Sequence, residues 1–363
     1  MDNNRKLRIL HVLKSSIYSG AENVVITIIK SLREEFDMVY VATDGEIRTR
    51  LEQEHIPMEL LTEFNRRELN NVVQKYQPDV VHAHDFSATV LCASIKGTFR
   101  LISHLHYDPP WVTKWNVKTI AFRMCKFRIG RVITVTNKAF ESMVFADAYS
   151  DRHLALSNPI DKKNILRLAE MSPEDDCDTI DIDGLQKCDL IFVGRIVEQK
   201  NPQRFIHIID MLKKRGFVDI CAWMLGDGEL RNECEEMIEE LGLQNNIRMI
   251  GFQKNPYQYM KKSKLLCITS GWEGFGLVAA EANILGVPVL STKNSGCTEV
   301  LGEHSPELCE TDEEFIEKIE KLLTCSDEMN VWKMRSLQRV EQFTEIEDYK
   351  TALQKIYLSE VSM

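Results

Sequence analysis

No uninterrupted apolar run in this 363-residue chain approaches the ~20 residues that a membrane-spanning helix needs. The opening stretch, MDNNRKLRILHVL, lacks the long apolar core and small-residue cleavage site of a secretory signal, so a cytoplasmic protein is expected. The ten cysteines include no Cys-x-x-Cys pair and no metal-ligand spacing, which argues for buried reduced thiols over disulfides or a zinc module. No Asp-x-Asp stands at a strand end, and the acids of SGWEGFGLVAAE (270–281) have no His or Asp partner at ligand spacing. No metal and no cofactor are therefore expected. A net charge of −10 and the lack of a recognisable nucleic-acid module set nucleic acid aside as a partner.

What is present points to two α/β domains. The length exceeds a comfortable single core, and short β-branched bursts alternate with helical periodicity. LRILHVL (7–13), DMVYVAT (37–43), DVVHAH (79–84), RLISHLH (100–106) and RVITVT (131–136) read as strands buried on both faces of a parallel sheet. Helical stretches such as AENVVITIIKSLREE (21–35) lie between them. After an acidic, Pro- and Gly-broken segment the pattern restarts with CDLIFVGR (188–195), ICAWMLG (220–226), IRMIGF (247–252), LLCITS (265–270) and VPVLST (287–292). Thr311 and Glu314 form a capping-box pattern for one late helix, and EDYKTALQKIYL (347–358) reads as the last. The expected organisation is a doubly wound domain over 1–160, a linker or exposed segment over 161–187, and a second doubly wound domain over 188–342. A helix over 343–363 is expected to pack back on the first domain. Ligands of such sheets bind beyond the carboxyl ends of the strands, here in a cleft between the two domains.

Four motifs stand at expected strand ends. SSIYSGAE (15–22) puts Gly20 before a helix, where a small residue admits a ligand to the backbone or simply makes a tight turn. VGRIVEQKN (193–201) sets Arg195 and Lys200 after Gly194, a pair that suits a diphosphate or is solvated charge. LGDGELR (225–231) turns at Gly226 and carries Arg231, which reaches a phosphate or pairs with Glu235. In SGWEGFGLVAAE, Gly274 and Gly276 bracket Phe275, and the amides near Gly276 and Leu277 would open a helix as an anion site. Glu281, about one turn in, suits vicinal hydroxyls, and Glu273 suits the far end of the same ligand. Seven residues separate the two acids.

In their order these motifs resemble the retaining glycosyltransferases of family 4, of the bacterial polysaccharide and glycolipid type, which share the GT-B fold of two doubly wound Rossmann-like domains. SGAE resembles the family's first-loop Gly-Gly-x-Glu, with Ser19 in place of the first Gly. PDVVHAHD (78–85) and SNPID (157–161) match the family's acceptor-domain strand end and its domain crossing. The resemblance implies that Arg195 and Lys200 contact a donor diphosphate, with the amides of Phe275, Gly276 and Leu277 assisting. It implies Glu273 at the transferred sugar and Glu281 at the ribose. Gly20, Gly194, Gly226, Phe252 and Gly274 would complete the donor site, and His106, ahead of His104, would stand near the reacting sugar. Where the family commonly shows Gly-Gly-x-Pro-Glu, this chain has SGCTE (295–299), with Thr298 in place of the Pro.

The implied activity is metal-independent transfer of a sugar, with retention, from a nucleotide-sugar (a UDP-sugar is favoured) to a glycan acceptor in cell-surface polysaccharide biosynthesis. Charge bears on the acceptor. Residues 1–160 carry a net +3 against −13 for the remainder, and 96–138 hold nine Lys/Arg with Asp108 the one acid. Within 111–131, Trp111, Trp115, Ile120, Phe122 and Phe127 interleave with Lys114, Lys118, Arg123, Lys126, Arg128 and Arg131. Such a stretch suits an anionic membrane surface at the inner face of the cell membrane, and with it a lipid-linked acceptor. It suits equally a core helix with a charged outer face. Two rival functions bind a similar donor: a non-hydrolysing nucleotide-sugar epimerase of GT-B fold, and a non-catalytic sugar-nucleotide-binding partner.

Overall fold

The structure, a computed structural model, describes residues 5–17, 20–107, 109–171 and 188–362. Ser19, Asp108 and most of the expected 161–187 linker lie outside the described residues. The chain divides into two compact units, Met1–Pro159 with Thr344–Met363, and Ile160–Phe343.

The first unit contains β1 (Arg8–Val12), β2 (Asp37–Thr43), β3 (Met58–Leu61), β4 (Val80–Ala83), β5 (Arg100–Leu105), β6 (Ile129–Thr134) and β7 (His153–Ala155). They pair in the order β3-β2-β1-β4-β5-β6-β7, always parallel. The order reverses between β1 and β4, the switch point at which such sheets open toward ligands. One face packs Leu10, Val12, Val39, Val41, Val81, Ala83 and Leu101 into a core with Phe86, Phe122, Phe145 and Tyr149. The helix Gly20–Leu32 is rich in β-branched residues, and Val24, Val25, Ile26, Ile28, Ile29 and Leu32 are all buried. Burial on several sides overrides its weak intrinsic propensity.

The final helix, Ile346–Ser362, belongs to this first unit. Tyr349, Leu353, Ile356 and Tyr357 recur on one stripe and are buried, each such side chain contributing about 1.5–3 kcal/mol of transfer free energy. The Tyr357 hydroxyl lies 2.8 Å from His82 Nδ1, and the nearly buried Glu360 carboxylate meets Arg131 Nε at 3.1 Å.

The second unit contains β8 (Cys188–Val193), β9 (Ala222–Leu225), β10 (Ile247–Gly251), β11 (Ser263–Ile268), β12 (Val289–Thr292) and β13 (Leu308–Cys309), ordered β10-β9-β8-β11-β12-β13 and again parallel. Its start differs from expectation. Residues assigned to the linker form the helix Lys162–Ala169, capped by the Asp161 side chain. Asn255 Nδ2 donates to the Leu168 carbonyl (2.9 Å) and Gln258 Nε2 to that of Met171 (2.8 Å), fastening the helix end to the second unit. The late helix Asp312–Thr324 is capped by Thr311, whose hydroxyl accepts from the Glu314 amide.

Among the described cysteines all are free, and six are buried. No helix among the described residues is long and apolar enough to cross a membrane.

Candidate functional site

In the second unit, three strand ends are laced together by backbone. The Gly194 amide donates to the Leu225 carbonyl (3.0 Å), the Ile196 amide to that of Asp227 (2.9 Å), and the Gly226 amide to that of Gly251 (2.8 Å). Gly226 has φ +132°, and a Cβ there would lie 1.9 Å from the Gly194 carbonyl oxygen. Only glycine permits that approach. Lys200 lays its aliphatic stem over Gly194, near enough that a Cβ at 194 would sit 3.5 Å from its Cδ. The Thr269 hydroxyl shares its proton between the carbonyls of Lys200 (3.0 Å) and Asn201 (2.9 Å), tying the 194–201 loop to the end of β11.

That tie brings the two charged motifs together. Lys200 Nζ donates to Glu273 Oε1, and the Ser270 hydroxyl donates to the same oxygen at 2.6 Å. Both ionic side chains are nearly buried, so the pair is screened little by solvent. Arg195 Nη2 reaches Gln199 Oε1 at 3.3 Å, and Gln199 Nε2 in turn donates to the Trp272 carbonyl at 3.0 Å.

The glycine turn is held from a second side. Gly296 donates its amide to the Glu273 carbonyl (3.1 Å), as does the Ser295 hydroxyl (3.2 Å). A Cβ on Gly296 would stand 2.7 Å from that carbonyl oxygen. Gly276, at φ +73°, ends the turn as the N-cap of the helix Leu277–Ile284, and no side chain caps that helix. Its first amides therefore face outward with the positive end of the helix dipole. Gly274 lies in the same turn, while the Phe275 ring is buried beneath it. One turn in, half-buried Glu281 accepts from the Tyr257 hydroxyl at 3.1 Å. Burial pushes its carboxyl up to about 7, against the pull of Tyr257 and the charge of Lys200. Phe252 follows β10 and is exposed.

The first unit carries the remaining candidates. Gly20 is the exposed first residue of its helix. His104 is buried within β5, with neither ring nitrogen partnered among the described residues. His106 stands just past the strand, its Nε2 2.9 Å from His84 Nδ1. Burial holds its pKa down to about 4.

The 111–131 stretch turns its apolar side outward. Asn116 caps the helix Val117–Met124, accepting from the Lys118 and Thr119 amides while the Thr119 hydroxyl accepts from the Asn116 amide. Trp115 (54% exposed), Val117 (83%), Ile120 (48%), Met124 (77%) and Phe127 (92%) all face solvent. Lys114, Lys118, Arg123 and Lys126 lie among them. Two expected members point elsewhere: Phe122 is in the core and Trp111 packs against it. Arg131 lies on β6, paired with Glu360, and Arg128 folds back to the Ile95 carbonyl and the Phe99 ring.

Residues 18–162 match the family model described as Glycosyltransferase Family 4, and residues 184–339 match Glycosyl transferases group 1. Between them the two models span most of the chain. The chain belongs to glycosyltransferase family 4. It is 23% identical to the capsular polysaccharide biosynthesis glycosyltransferase CapH of Staphylococcus aureus, over 88% of this chain and 91% of that protein. It is 29% identical to the N-acetylgalactosamine-N,N'-diacetylbacillosaminyl-diphospho-undecaprenol 4-alpha-N-acetylgalactosaminyltransferase of Campylobacter jejuni, over 45% of each. Where identity reaches 26–38%, the chain spans 20% to 61% of the length of the curated relatives it matches. Its fold matches the crystal structure of HepE from Anabaena in complex with UDP and glucose, with a TM-score of 0.84 at 21% identity over 97% of this chain and 100% of that one. The fold is therefore GT-B.

Within this family 4 chain, Gly194, Arg195, Lys200, Gly226, Glu273, Gly274, Phe275, Gly276, Leu277 and Glu281 all belong to the second unit, whereas Gly20, His104 and His106 belong to the first. Arg231 pairs with Glu235 at 2.9 Å. Sequence reasoning missed Tyr257, Gln199, Thr269 and Ser270. The last three are adjacent to motif residues, and that adjacency was the available signal. Tyr257 is 24 residues from the carboxylate it touches, with no local pattern to reveal it.

Proposed function

We propose that this chain is a retaining glycosyltransferase that moves a sugar from a nucleotide-sugar, a UDP-sugar by preference, to a lipid-linked glycan at an anionic membrane surface, in polysaccharide or glycolipid biosynthesis. The observation that carries the reading is the Lys200–Glu273 pair beside the uncapped helix Leu277–Ile284, with Glu281 one turn along. That arrangement offers a cation and helix-end amides to a diphosphate and carboxylates to the hydroxyls at its two ends. The HepE structure with UDP and glucose and the undecaprenol-linked substrate in the Campylobacter protein's name support the donor and acceptor classes.

The chemistry follows from charge. As the bond from the anomeric carbon to the diphosphate breaks, its electron pair stays on the phosphate oxygen. Arg195, Lys200 and the amides at Gly276 and Leu277 stabilise that oxygen more as charge builds than before, which accelerates transfer without a protein nucleophile or a metal. The acceptor hydroxyl attacks the same face and gives its proton to the departing phosphate. Glu273 orients the sugar and Glu281 the ribose. The outward row Trp115, Val117, Ile120, Met124 and Phe127, ringed by Lys114, Lys118, Arg123 and Lys126, supports membrane docking.

A thermal-shift screen against UDP-, GDP- and ADP-sugars tests the donor site. A UDP-sugar should raise the melting temperature, and Lys200→Ala should abolish the rise. An unchanged rise in Lys200→Ala would refute the diphosphate assignment, and an epimer formed from nucleotide-sugar alone would replace transfer with isomerisation.

A further inference from the structure

On the face of the first sheet covered by the C-terminal helix, β1, β4 and β5 bring five histidines together: His11, His82, His84, His104 and His106, none more than 6% exposed. Parallel register pairs His11 with His82, and the i, i+2 spacing of 82/84 and 104/106 keeps each pair on one side of its strand. The ring centroids of His82 and His84 are 4.1 Å apart, and that of His11 is 5.2 Å from each.

Packing alone leaves this cluster poorly satisfied. His82 Nε2 has no hydrogen-bond partner among the described residues, although its ring is 0% exposed. A buried nitrogen left without a partner is costly, and an unpartnered group of this kind calls for an explanation such as a bound ion. The partnered nitrogens, in contrast, are arranged as a ligand support. His82 Nδ1 lies 2.8 Å from the Tyr357 hydroxyl and His84 Nδ1 2.9 Å from His106 Nε2. With Nδ1–H donating outward in this way, the Nε2 lone pairs of His82 and His84 turn inward, the orientation that second-shell partners impose on metal-binding histidines, and His11 presents its Nδ1 to His84 Nε2 from the neighbouring strand.

We infer that His11, His82 and His84 form a buried site for a borderline divalent transition ion such as Zn2+, with Tyr357 as the second-shell residue that orients His82. One ligand nitrogen from each of the three lies within 4.8 Å of the others. The 2.9 Å between His11 Nδ1 and His84 Nε2 corresponds to an angle of about 90° at an ion ~2.05 Å from both, and opening it to a tetrahedral angle needs a shift of only ~0.4 Å. All-imidazole donors favour Zn2+, Co2+, Ni2+ or Cu2+ over Mg2+ and Ca2+. Glu22, itself buried, supplies negative charge on this side of the sheet. After burial, its charge is what raises the pKa of Tyr40, the β2 neighbour of His11. The C-terminal helix closes over the site, so the ion enters as the chain folds, and its role is to join β1 and β4 to that helix.

The full chain is produced in cobalt-supplemented minimal medium and compared with chain produced without cobalt. The expected result is one Co2+ per chain that survives desalting, shows the visible bands of nitrogen coordination, and exchanges for Zn2+ only on unfolding. His82→Gln should lose the ion. Tyr357→Phe, which removes no ligand atom, should weaken it ten- to a hundredfold and decides the matter where His82→Gln does not fold. A folded wild-type chain that retains no Co2+ overturns the proposal. So does retained Co2+ with thiolate charge-transfer bands and no sensitivity to either substitution, which would assign it to cysteine.

Discussion

In the first unit, the titratable groups lie within the face of the sheet. His11, His82, His84, His104 and His106 are buried there and kept neutral, with burial lowering His11 to about 3, His106 to about 4 and the other three well below the ordinary value. In the second unit the charged groups stand beyond the strand ends, where Lys200 and Glu273 form an ion pair and Glu281 is raised to about 7. The difference matters for function. A neutral buried cluster stabilises a fold at neutral pH, while a paired cation at a strand end can exchange its carboxylate partner for an incoming anion.

The largest way to break that comparison is acid. A histidine whose folded pKa is depressed contributes stability above its unfolded pKa of 6.5 and loses it as pH falls, because the unfolded chain takes up protons that the folded one excludes. With five such groups the first unit should lose stability steeply as pH falls below about 6. Urea unfolding followed between pH 7.5 and 5.5 should therefore show the first unit melting ahead of the second. Metal loading at His11, His82 and His84 would sharpen the same effect, since protons compete for the ring nitrogens.

Next in size is Lys200→Ala, which leaves Glu273 nearly buried without its cation. It should cost about 3 kcal/mol of stability in the second unit, whereas the Lys200→Met, Glu273→Gln double variant should recover most of that and still fail to bind donor. Denaturant titration of the single and double variants reads this coupling directly.

Glu281→Gln should act with the opposite sign. Its carboxyl titrates near 7 in the fold and near 4.5 unfolded, so the fold is favoured by protonation and loses that advantage between about pH 4.5 and 7. Removing the charge should stabilise the donor-free chain at pH 8 by roughly 2–3 kcal/mol and change it little at pH 5, while weakening nucleotide-sugar binding. Melting temperatures at the two pH values distinguish this from a packing effect.

The smallest effect on stability is expected at the outward row of the first unit. Phe127→Ser with Met124→Ser should alter unfolding by less than about 0.5 kcal/mol, as for exposed substitutions generally. The same pair should abolish co-sedimentation with anionic liposomes. Retained sedimentation would remove the membrane from the account.

How much of this was legible beforehand depends on position in the sheet. The central strands announced themselves because they are buried on both faces. β3, β7 and β13 did not, and each lies at an edge of its sheet, where a short strand needs no continuous apolar run. The helix Lys162–Ala169 was mistaken for linker because Ile165 is its one buried residue. Arg195, Lys200, Glu273 and Glu281 were readable from strand-end placement and the resemblance to family 4. Their direct pairing was not, since it depends on Thr269 joining loops about 70 residues apart and on Ser270 holding the Glu273 carboxylate. The histidines at 82/84 and 104/106 carried a period-2 signal, but only the register of β1 against β4 shows that His11 completes the set. For 111–131, composition allowed either a core helix or a surface one. The Asn116 cap and the inward packing of Phe122 decide it, leaving Val117, Ile120, Met124 and Phe127 outside.

The central claim is that the second unit grips a nucleotide-sugar between the 194–200 loop and the turn at 273–277. Hydrogen exchange of the full chain with and without a UDP-sugar tests it most directly. The account predicts protection of the amides at Phe275, Gly276 and Leu277 together with those of the 194–200 loop, lost in Lys200→Ala. Protection that spares both segments, from a ligand that nonetheless binds, would contradict it.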